Sequence, residues 1–197
     1  MTSANSGATR AFDDKRERLL RAAARCFNEK GYSGTSLKDV AIQLGLTDAA
    51  IYYYIAGKQE LVYQCYMRAA DIGQRTLDQA IAEGGTGFDV ARRYLELHVA
   101  AHCGDEGPIA IMSEIPSLTP EHREEILARS RTHSRNFEAV LHRGIDDGSI
   151  IDCDVRMTGN AIMGAVNWIP KWFHGDPAVA EDAVRTFPEY LMRGLTP

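Results

Sequence analysis

Residues 35–58 read TSLKDVAIQLGLTDAAIYYYIAGK, a pattern typical of two short helices joined by a tight turn. Ser36 and Asp39 have the spacing of a capping box at the start of a helix. Apolar residues then recur at the i, i+3, i+4 and i+7 positions of a helix that buries one face, namely Leu37, Val40, Ala41 and Leu44. Gly45 permits the turn and Thr47 can cap the second helix, so the segment predicts a helix-turn-helix.

The second helix of this pair, about residues 48–54, offers few residues to a core. Ile51 is its one obligate core residue, and three tyrosines follow it directly. So short a helix is not stable alone, and its exposed side chains add little to a core. We therefore expect those side chains to serve a function other than folding. A DNA reader fits, because in a helix-turn-helix one helix braces the phosphates while the next enters the major groove. We expect Leu46, in the turn, to pack back into the core.

Residues 15–66 resemble the N-terminal domain of the TetR family of bacterial transcriptional regulators. The resemblance rests on several motifs at fixed spacing: Gly31-Tyr32, Thr35 to Ala41, Gly45-Leu46-Thr47, Ile51 to Tyr54, and Lys58 with Glu60 and Leu61. The chain departs from the family pattern at three places. These are Ile55 in place of an aromatic residue, Ala56-Gly57 in place of a more polar bend, and the acidic Asp48.

The resemblance implies an all-α fold of about nine helices. An N-terminal three-helix helix-turn-helix DNA-binding domain would occupy residues 11–57, here called the head. A C-terminal helical bundle for ligand binding and dimerisation would occupy residues 58–197, here called the body. Residues 1–10 are rich in Ser, Gly and Ala and predict a disordered N-terminal arm.

Eight residues are predicted to contact DNA, by analogy with the family. Thr35, Ser36 and Lys58 are expected to hold phosphates. Tyr52 and Tyr53 are expected to contact the DNA backbone or thymine methyl groups, while Thr47, Asp48 and Ala49 face base edges. We hypothesise that Asp48 accepts a hydrogen bond from a cytosine amino group.

The charge of the chain is unevenly distributed. Residues 1–60 hold nine Lys and Arg against seven Asp and Glu, a balance of +2, although the whole chain carries −5. The remaining residues therefore carry −7. A mildly basic head on an acidic body can direct one face toward phosphates.

The composition is that of a soluble cytoplasmic protein. No apolar run approaches the ~20 residues needed to cross a membrane, and the N-terminus lacks a secretory signal, so no membrane partner is expected. The four cysteines are scattered without a C-x-x-C pair, which favours buried thiols over a disulfide or zinc framework. No cofactor is expected.

Almost everything after residue 57 predicts helix. Glycines at 84–85, 104 and 148 mark helix ends, and Pro170 and Pro188 predict kinks or early ends. The expected helices are about 13–30 in the head and, in the body, 58–82, 88–103, 107–115, 119–147, 154–173 and 177–194.

The segment 159–173, GNAIMGAVNWIPKWF, is apolar nearly all round. Such a helix must be covered on every side, and in a chain of this size a second subunit is the natural cover. The resemblance points the same way, because the last two long helices of the family form a dimer bundle. A two-fold homodimer would read a palindromic operator.

The family resemblance also implies a small-molecule pocket in the body. Asn167-Trp168 and Trp172-Phe173 resemble a branch that governs fatty-acid, steroid or other acyl-CoA catabolism. Arginines on the helix 119–147 could meet CoA phosphates, but we favour their pairing with Glu124, Glu125 and Glu138 on a solvated face. The predicted ligand-binding residues are His98, His102, Met112, Glu114, Phe137, Met163, Asn167, Trp168 and Trp172.

The function expected is therefore a ligand-responsive repressor, released from DNA by a small-molecule inducer such as an acyl-CoA. One alternative is a regulator of efflux or xenobiotic response, for which an acid such as Glu114 would meet a cationic drug. Another is a helical carrier or enzyme without DNA binding, but the sequence contains no recognisable catalytic constellation. His98 and His102 have a spacing that could hold a metal, yet no third ligand is evident, so no metal site is predicted.

Overall fold

The computed structural model describes residues 3–104 and 118–196, and the regular structure in these two ranges is helical, without β-strand. The helices are α1 (Ser3–Gly34), α2 (Leu37–Leu44), α3 (Asp48–Ile51), α4 (Lys58–Glu83), α5 (Gly87–Cys103), α6 (Pro120–Asp146), α7 (Val155–Asn167), α8 (Ile169–Trp172) and α9 (Pro177–Met192). A 3₁₀ turn, Arg193–Leu195, follows α9. The all-α prediction is confirmed. The predicted helix 107–115 lies outside the described residues.

Local sequence signals place most helix ends. The capping box of Ser36 and Asp39 opens α2, and Gly45 ends it with a left-handed φ of 64°. Thr86 and Asp89 form a second capping box at α5. Thr119, Asp154 and Asp176 each cap the helix that follows them with a side-chain oxygen.

The first helix is longer than predicted. α1 begins at Ser3, so its first turns cover most of the segment expected to be a disordered arm. A helix already nucleated by the packed residues 13–30 propagates at little cost, which composition alone does not reveal. Gly31 interrupts α1 with a φ of 69°, as expected for a helix stop.

The core of the head extends into the body. It contains Leu19 and Phe27 of α1, Val40 of α2 and Ile51 of α3, and it continues with Leu61, Val62 and Cys65 of α4 and Ile126 of α6. Leu46 is not part of this core and is exposed, which corrects the expectation that it packs inward. The head is therefore not packed independently of α4, and a movement of α4 must disturb its core.

The second core fills the body. α5 packs against α4, α6 and α9. Among the buried residues of this core are Leu77, Tyr94, Leu95, Val99, Phe137, Leu141, Val166, Ile169 and Met192. At Gly87 a Cβ atom would lie 2.2 Å from the backbone nitrogen of Gly144, so α5 and α6 meet backbone to backbone.

The predicted helix 154–173 is divided. α7 ends at Asn167 and α8 begins at Ile169, with Pro170 in its first turn, where a proline costs no helical hydrogen bond. α9 continues past Pro188 to Met192, so this proline does not end the helix. No helix in the described ranges is long and apolar enough to span a membrane.

Candidate DNA-reading surface and ligand cavity

The short helix α3 presents an exposed surface on the head. Thr47 caps α3 by accepting a hydrogen bond from the Ala50 N–H at 3.3 Å, and Ile51 anchors it as a fully buried residue. Ala49 is exposed, and the side chains of Tyr52 and Tyr53 are 60% and 74% exposed. Large aromatic residues so accessible to solvent are suited to contact a partner.

Aromatic packing holds Tyr53 and its neighbour Tyr54 in place. The ring of Tyr53 meets that of Tyr54 edge to face, with centroids 5.1 Å apart. Phe12 of α1 packs against both, at 5.7 Å from Tyr53 and 5.1 Å from Tyr54. Phe12 of α1 therefore supports the exposed surface formed by α3 and the tyrosines that follow it, here called the reading surface.

Of the residues predicted to hold phosphates, Ser36 and Lys58 lie at the surface in suitable places. Ser36 is exposed at the positive end of α2. Lys58 begins α4, with its Nζ atom 4.2 Å from the centre of the Tyr32 ring. This cation–π contact orients the ammonium group without burying it.

Thr35 requires a correction. Its side chain is only 3% exposed, and its hydroxyl donates to the carbonyl oxygens of Cys26 at 3.0 Å and Gly31 at 2.8 Å. The hydroxyl therefore ties the turn to the end of α1 and is not available to a phosphate. Asp48 begins α3, but its side chain lies outside the part of the chain that the structure describes.

A small cavity of about 90 Å³, here called the inner cavity, lies inside the body between α4, α5, α6 and α7. Its wall combines small residues of α4 with polar side chains from α5 and α6. The lining residues are Tyr66, Ala69, Ala70, Gly73, His98, Ile126, Arg129, Ser130, His133, Met163 and Asn167.

His98 and His133 on the wall of the inner cavity belong to a buried network that extends behind the wall to Tyr94, Thr76 and His102. The Tyr94 hydroxyl lies 2.8 Å from Nε2 of His133, and the Tyr94 ring stacks on His98 with centroids 5.4 Å apart. Thr76 Oγ1 lies 3.4 Å from Nδ1 of His98. His102 meets His98 edge to face at 5.0 Å.

Burial keeps these three histidines neutral. Desolvation lowers the pKa of His98 and His133 below 6.5 and lowers that of His102 to about 3. A neutral imidazole carries one donor and one acceptor nitrogen, so the wall can bond to a carbonyl or an amide.

The predicted ligand-binding residues divide among several environments. His98, Met163 and Asn167 line the inner cavity. Phe137 is buried in the core beside Tyr94, with ring centroids 5.1 Å apart, and has no place on the cavity wall among the described residues. Met112 and Glu114 lie outside the described residues.

The two tryptophans also require correction. Trp168 is 59% exposed, and Trp172 packs its ring edge to face on Phe173 and Phe187 near the surface. Both residues follow the break after α7, which turns α8 away from the inner cavity. Pro170 predicted a kink or early end in the helix 154–173, but the sequence could not show which side chains the break would leave at the surface.

Sequence reasoning missed Tyr66, Ser130 and His133. A signal for His133 was present, because it lies four residues before the core residue Phe137 on the buried stripe of α6. A histidine at a core position of an amphipathic helix marks a polar group that must find a buried partner.

A second, larger cavity of about 750 Å³ lies where the head meets the body, and we call it the junction cleft. The end of α1 forms one wall, while the end of α5 and the α8–α9 region form the other. The lining residues are Arg25, Asn28, Glu29, His102, Cys103, Gly104, Pro170, Lys171, Phe173, His174, Gly175, Pro177 and Ala180.

Arginines of α6 have polar partners, and two of the predicted pairings form, Arg131 with Glu124 and Arg129 with Glu125 at 4.0 Å, whereas other partners lie outside α6. Arg129 pairs with Asp71 of α4 at 2.6 Å, and Arg131 pairs with Glu124 at 2.7 Å. Arg143 donates to the carbonyl oxygen of Gly85. Arg129 differs from the others, because it also lines the inner cavity.

Two family models cover most of the chain. The model of the bacterial regulatory proteins of the tetR family matches residues 19–65, and that of the tetracyclin repressor-like C-terminal domain matches residues 85–195. The boundary between the two matches falls within α4 and the loop that follows it.

Known proteins agree with this match. The biofilm operon regulator IcaR of Staphylococcus epidermidis is 30% identical over 148 residues, covering 70% of this chain and 76% of IcaR. The structure of PfmR from Thermus thermophilus superposes with a TM-score of 0.75 at 33% identity, covering 91% of this chain and all of that one. AibR in complex with isovaleryl coenzyme A and operator DNA superposes with a TM-score of 0.69 at 25% identity, covering 88% and 98%. The chain therefore belongs to the TetR family of bacterial transcriptional regulators.

Proposed function

We propose that the protein is a transcriptional repressor that binds a palindromic operator as a homodimer and is released by an acyl-CoA. The observation that carries this proposal is the course of α4. Lys58 opens α4 beside the reading surface, and Tyr66 and Gly73 on the same helix line the inner cavity. At 1.5 Å per residue, the cavity begins only about 12 Å along the helix from Lys58.

The head supports specific DNA binding through two kinds of contact. Ser36 and Lys58 would hold phosphates, and Tyr52 and Tyr53 would contact the DNA backbone or thymine methyl groups. Thr47, Asp48 and Ala49 would face base edges. A regulator with this activity would work in the cytoplasm, where its operator is.

Exposed apolar residues on the last helices support a homodimer. Met157 of α7, Val179 and Tyr190 of α9, and Trp168 between α7 and α8 are all exposed in the isolated chain. A second copy would cover them, with the two-fold axis placing the two α3 helices about 34–36 Å apart on one face of the DNA.

Three features support an acyl-CoA as the inducer. The first is the likeness to AibR, whose structure contains isovaleryl coenzyme A. The second is Arg129, a guanidinium on the cavity wall that could exchange its ion pair with Asp71 for an anionic group of the ligand. The third is that no described lining residue of the inner cavity is acidic, which is unfavourable for a cationic drug.

The mechanism we propose is a coupled equilibrium. The ligand prefers a body conformation in which α4 has moved and the two heads are farther apart, whereas DNA prefers the narrower spacing. Each ligand then weakens binding of the other, and a coupling of ~1–3 kcal/mol would relieve repression about 5–150-fold.

The test is binding of the purified protein to the DNA upstream of its own gene. We expect sequence-specific binding that weakens as salt is raised, and release on adding butyryl-CoA but not free CoA. Release by a cationic dye alone would favour an efflux regulator. Absence of specific binding to this DNA and to family-like palindromes would contradict the repressor proposal.

A further inference from the structure

His102 is a buried polar residue without a polar partner. It is only 3% exposed, and neither ring nitrogen has a hydrogen-bonding partner among the described residues. His98, one turn earlier on the same helix, has Thr76 beside its Nδ1 atom. Because leaving a buried polar group unpaired is unfavourable, such a group in a native protein calls for a function or a missing partner.

The position of His102 relates the two cavities of the body. Its ring lines the junction cleft, whereas the ring of His98 lines the inner cavity. The two rings meet edge to face with centroids 5.0 Å apart. The histidine pair thus lies between a small cavity and a much larger one, and the ring of His102 makes no hydrogen bond to a described residue that a ligand would have to replace.

The two cavities suit different parts of one molecule. At about 90 Å³, the inner cavity has room for roughly three water-sized groups, which suits a short acyl chain. The junction cleft, at about 750 Å³, is as large as a typical cofactor site. Among its described lining residues the charged ones are Arg25, Lys171 and Glu29, an excess of one positive charge over this part of the wall.

Lys171 connects the body to the head across this cleft. Its Nζ atom donates a 2.7 Å hydrogen bond to the backbone carbonyl oxygen of Asn28, near the end of α1. A lysine whose partner is a neutral carbonyl gains more from an anion, because a charge-assisted pair is the stronger hydrogen bond.

We infer that the inducer spans both cavities, with its acyl group in the inner cavity and its nucleotide phosphates in the junction cleft, where Lys171 leaves the Asn28 carbonyl to bind them. This inference rests on the proposed acyl-CoA response. The amides of the pantetheine arm pass the histidine pair and supply His102 with the partner that it lacks. Ligand binding then breaks a hydrogen bond between head and body, as well as displacing α4.

The neutral state of His102 suits an amide better than a phosphate. Burial lowers the pKa of this histidine to about 3, so the ring offers one donor and one acceptor at neutral pH. An amide of the ligand has one acceptor (C=O) and one donor (N–H), which match the donor and acceptor nitrogens of the neutral imidazole. The phosphates belong farther out in the cleft, beside Lys171 and Arg25.

The experiment compares butyryl-CoA with butyryl-pantetheine, which has the same thioester but no phosphates. Affinities for the full-length protein are measured by calorimetry without DNA. We expect Lys171→Ala to weaken butyryl-CoA binding about tenfold, leave butyryl-pantetheine within about twofold of the wild type, and be rescued by Lys171→Arg. Arg185→Ala is the matched control, because Arg185 is exposed on α9 and pairs with Asp182 away from the cleft.

The outcomes separate this inference from the proposed function. If butyryl-CoA releases the wild type from DNA but Lys171→Ala binds both probes normally, the inference is wrong and the acyl-CoA response stands. An equal loss for both probes would also contradict it, because a phosphate contact cannot affect butyryl-pantetheine. If the wild type binds neither probe, both proposals fall.

Discussion

Tyr53 in the head and Tyr94 in the body show how differently one residue type is used in this molecule. Tyr53 is 74% exposed and is held only by ring contacts with Phe12 and Tyr54 on the described surface. Tyr94 is fully buried, with its hydroxyl bonded to His133. The exposed tyrosine leaves its polar end to a partner, whereas the buried one uses it to order the cavity wall.

The two regions therefore differ in what a substitution costs. On the reading surface, side chains add little to the free energy of unfolding, and their loss is felt in DNA binding. Around the inner cavity, the side chains that would contact a ligand also belong to the core, so their loss first lowers the free energy of unfolding. Four predictions test this division, from the largest expected effect to the smallest.

Tyr94→Ala should lower the free energy of unfolding by about 3–5 kcal/mol, because it empties a fully buried aromatic site and leaves His133 without its partner. Urea unfolding measured by circular dichroism gives the value. Tyr190→Ala is the control, since Tyr190 is an exposed tyrosine of α9. Similar losses for the two variants would contradict the assignment of Tyr94 to the core.

Acid should destabilise the body through its buried histidines. Because burial lowers the pKa of His98 and His102 below 6.5, the unfolded chain binds more protons once the pH falls below that value. For His102, whose pKa is lowered to about 3, this stability is present above pH 6.5 and is lost as the pH falls from 6.5 toward 3, by about 1.4 kcal/mol per pH unit. His98 adds a loss of the same sign. Denaturant unfolding at several pH values measures this slope.

The matched pair for this experiment is His102→Leu and His142→Gln. His102→Leu should reduce the change in unfolding free energy by about 1.4 kcal/mol per pH unit, the contribution of one histidine. His142→Gln, on the exposed face of α6, should leave this slope as it is in the wild type. An unaltered slope in His102→Leu would mean that this histidine is not buried in the neutral form.

Tyr53→Ala should weaken operator binding roughly tenfold, about 1.4 kcal/mol, while the free energy of unfolding changes by less than about 0.5 kcal/mol. Fluorescence anisotropy with labelled operator reports the first quantity, and urea unfolding the second. An unfolded Tyr53→Ala variant would place Tyr53 in the core of the head and erase its contrast with Tyr94.

Asp48→Ala should produce the smallest effect, and one that depends on the operator. If Asp48 accepts from a cytosine amino group, the variant should lose about 1 kcal/mol on the operator with that cytosine and little on a variant operator without it. A uniform rise in affinity across all operator variants would show that Asp48 only repels phosphates.

Much of the head was predictable because its signals are local. The capping box of Ser36 and Asp39, the left-handed turn at Gly45 and the cap at Thr47 each act within a few residues, and the structure forms all three. The prediction for Thr35 was wrong because its partner carbonyls at Cys26 and Gly31 belong to the preceding helix. The prediction for Leu46 was wrong because its exposure depends on how α2 packs against α1.

The candidate ligand site was less predictable for the same reason. His98 and Met163 were expected there and line the inner cavity, but His133 was missed and Trp168 lies outside. Thr76 and His98 are 22 residues apart in sequence, and Tyr94 and His133 are 39 apart. No periodicity within one helix reveals which residue of another helix it will meet.

The sequence by itself determined the all-α fold and the helix-turn-helix, because capping, turn and apolar-periodicity signals are read within one or two helical turns. It also indicated the family, through the resemblance of several motifs at fixed spacing in residues 15–66. Only the tertiary structure decided that α4 connects the reading surface to the inner cavity, that the pair of His98 and His102 lies between two cavities, and that Lys171 binds α1. These features depend on distances between helices far apart in the chain. Such distances are settled by packing the two cores together, a property of the whole molecule that no local pattern contains.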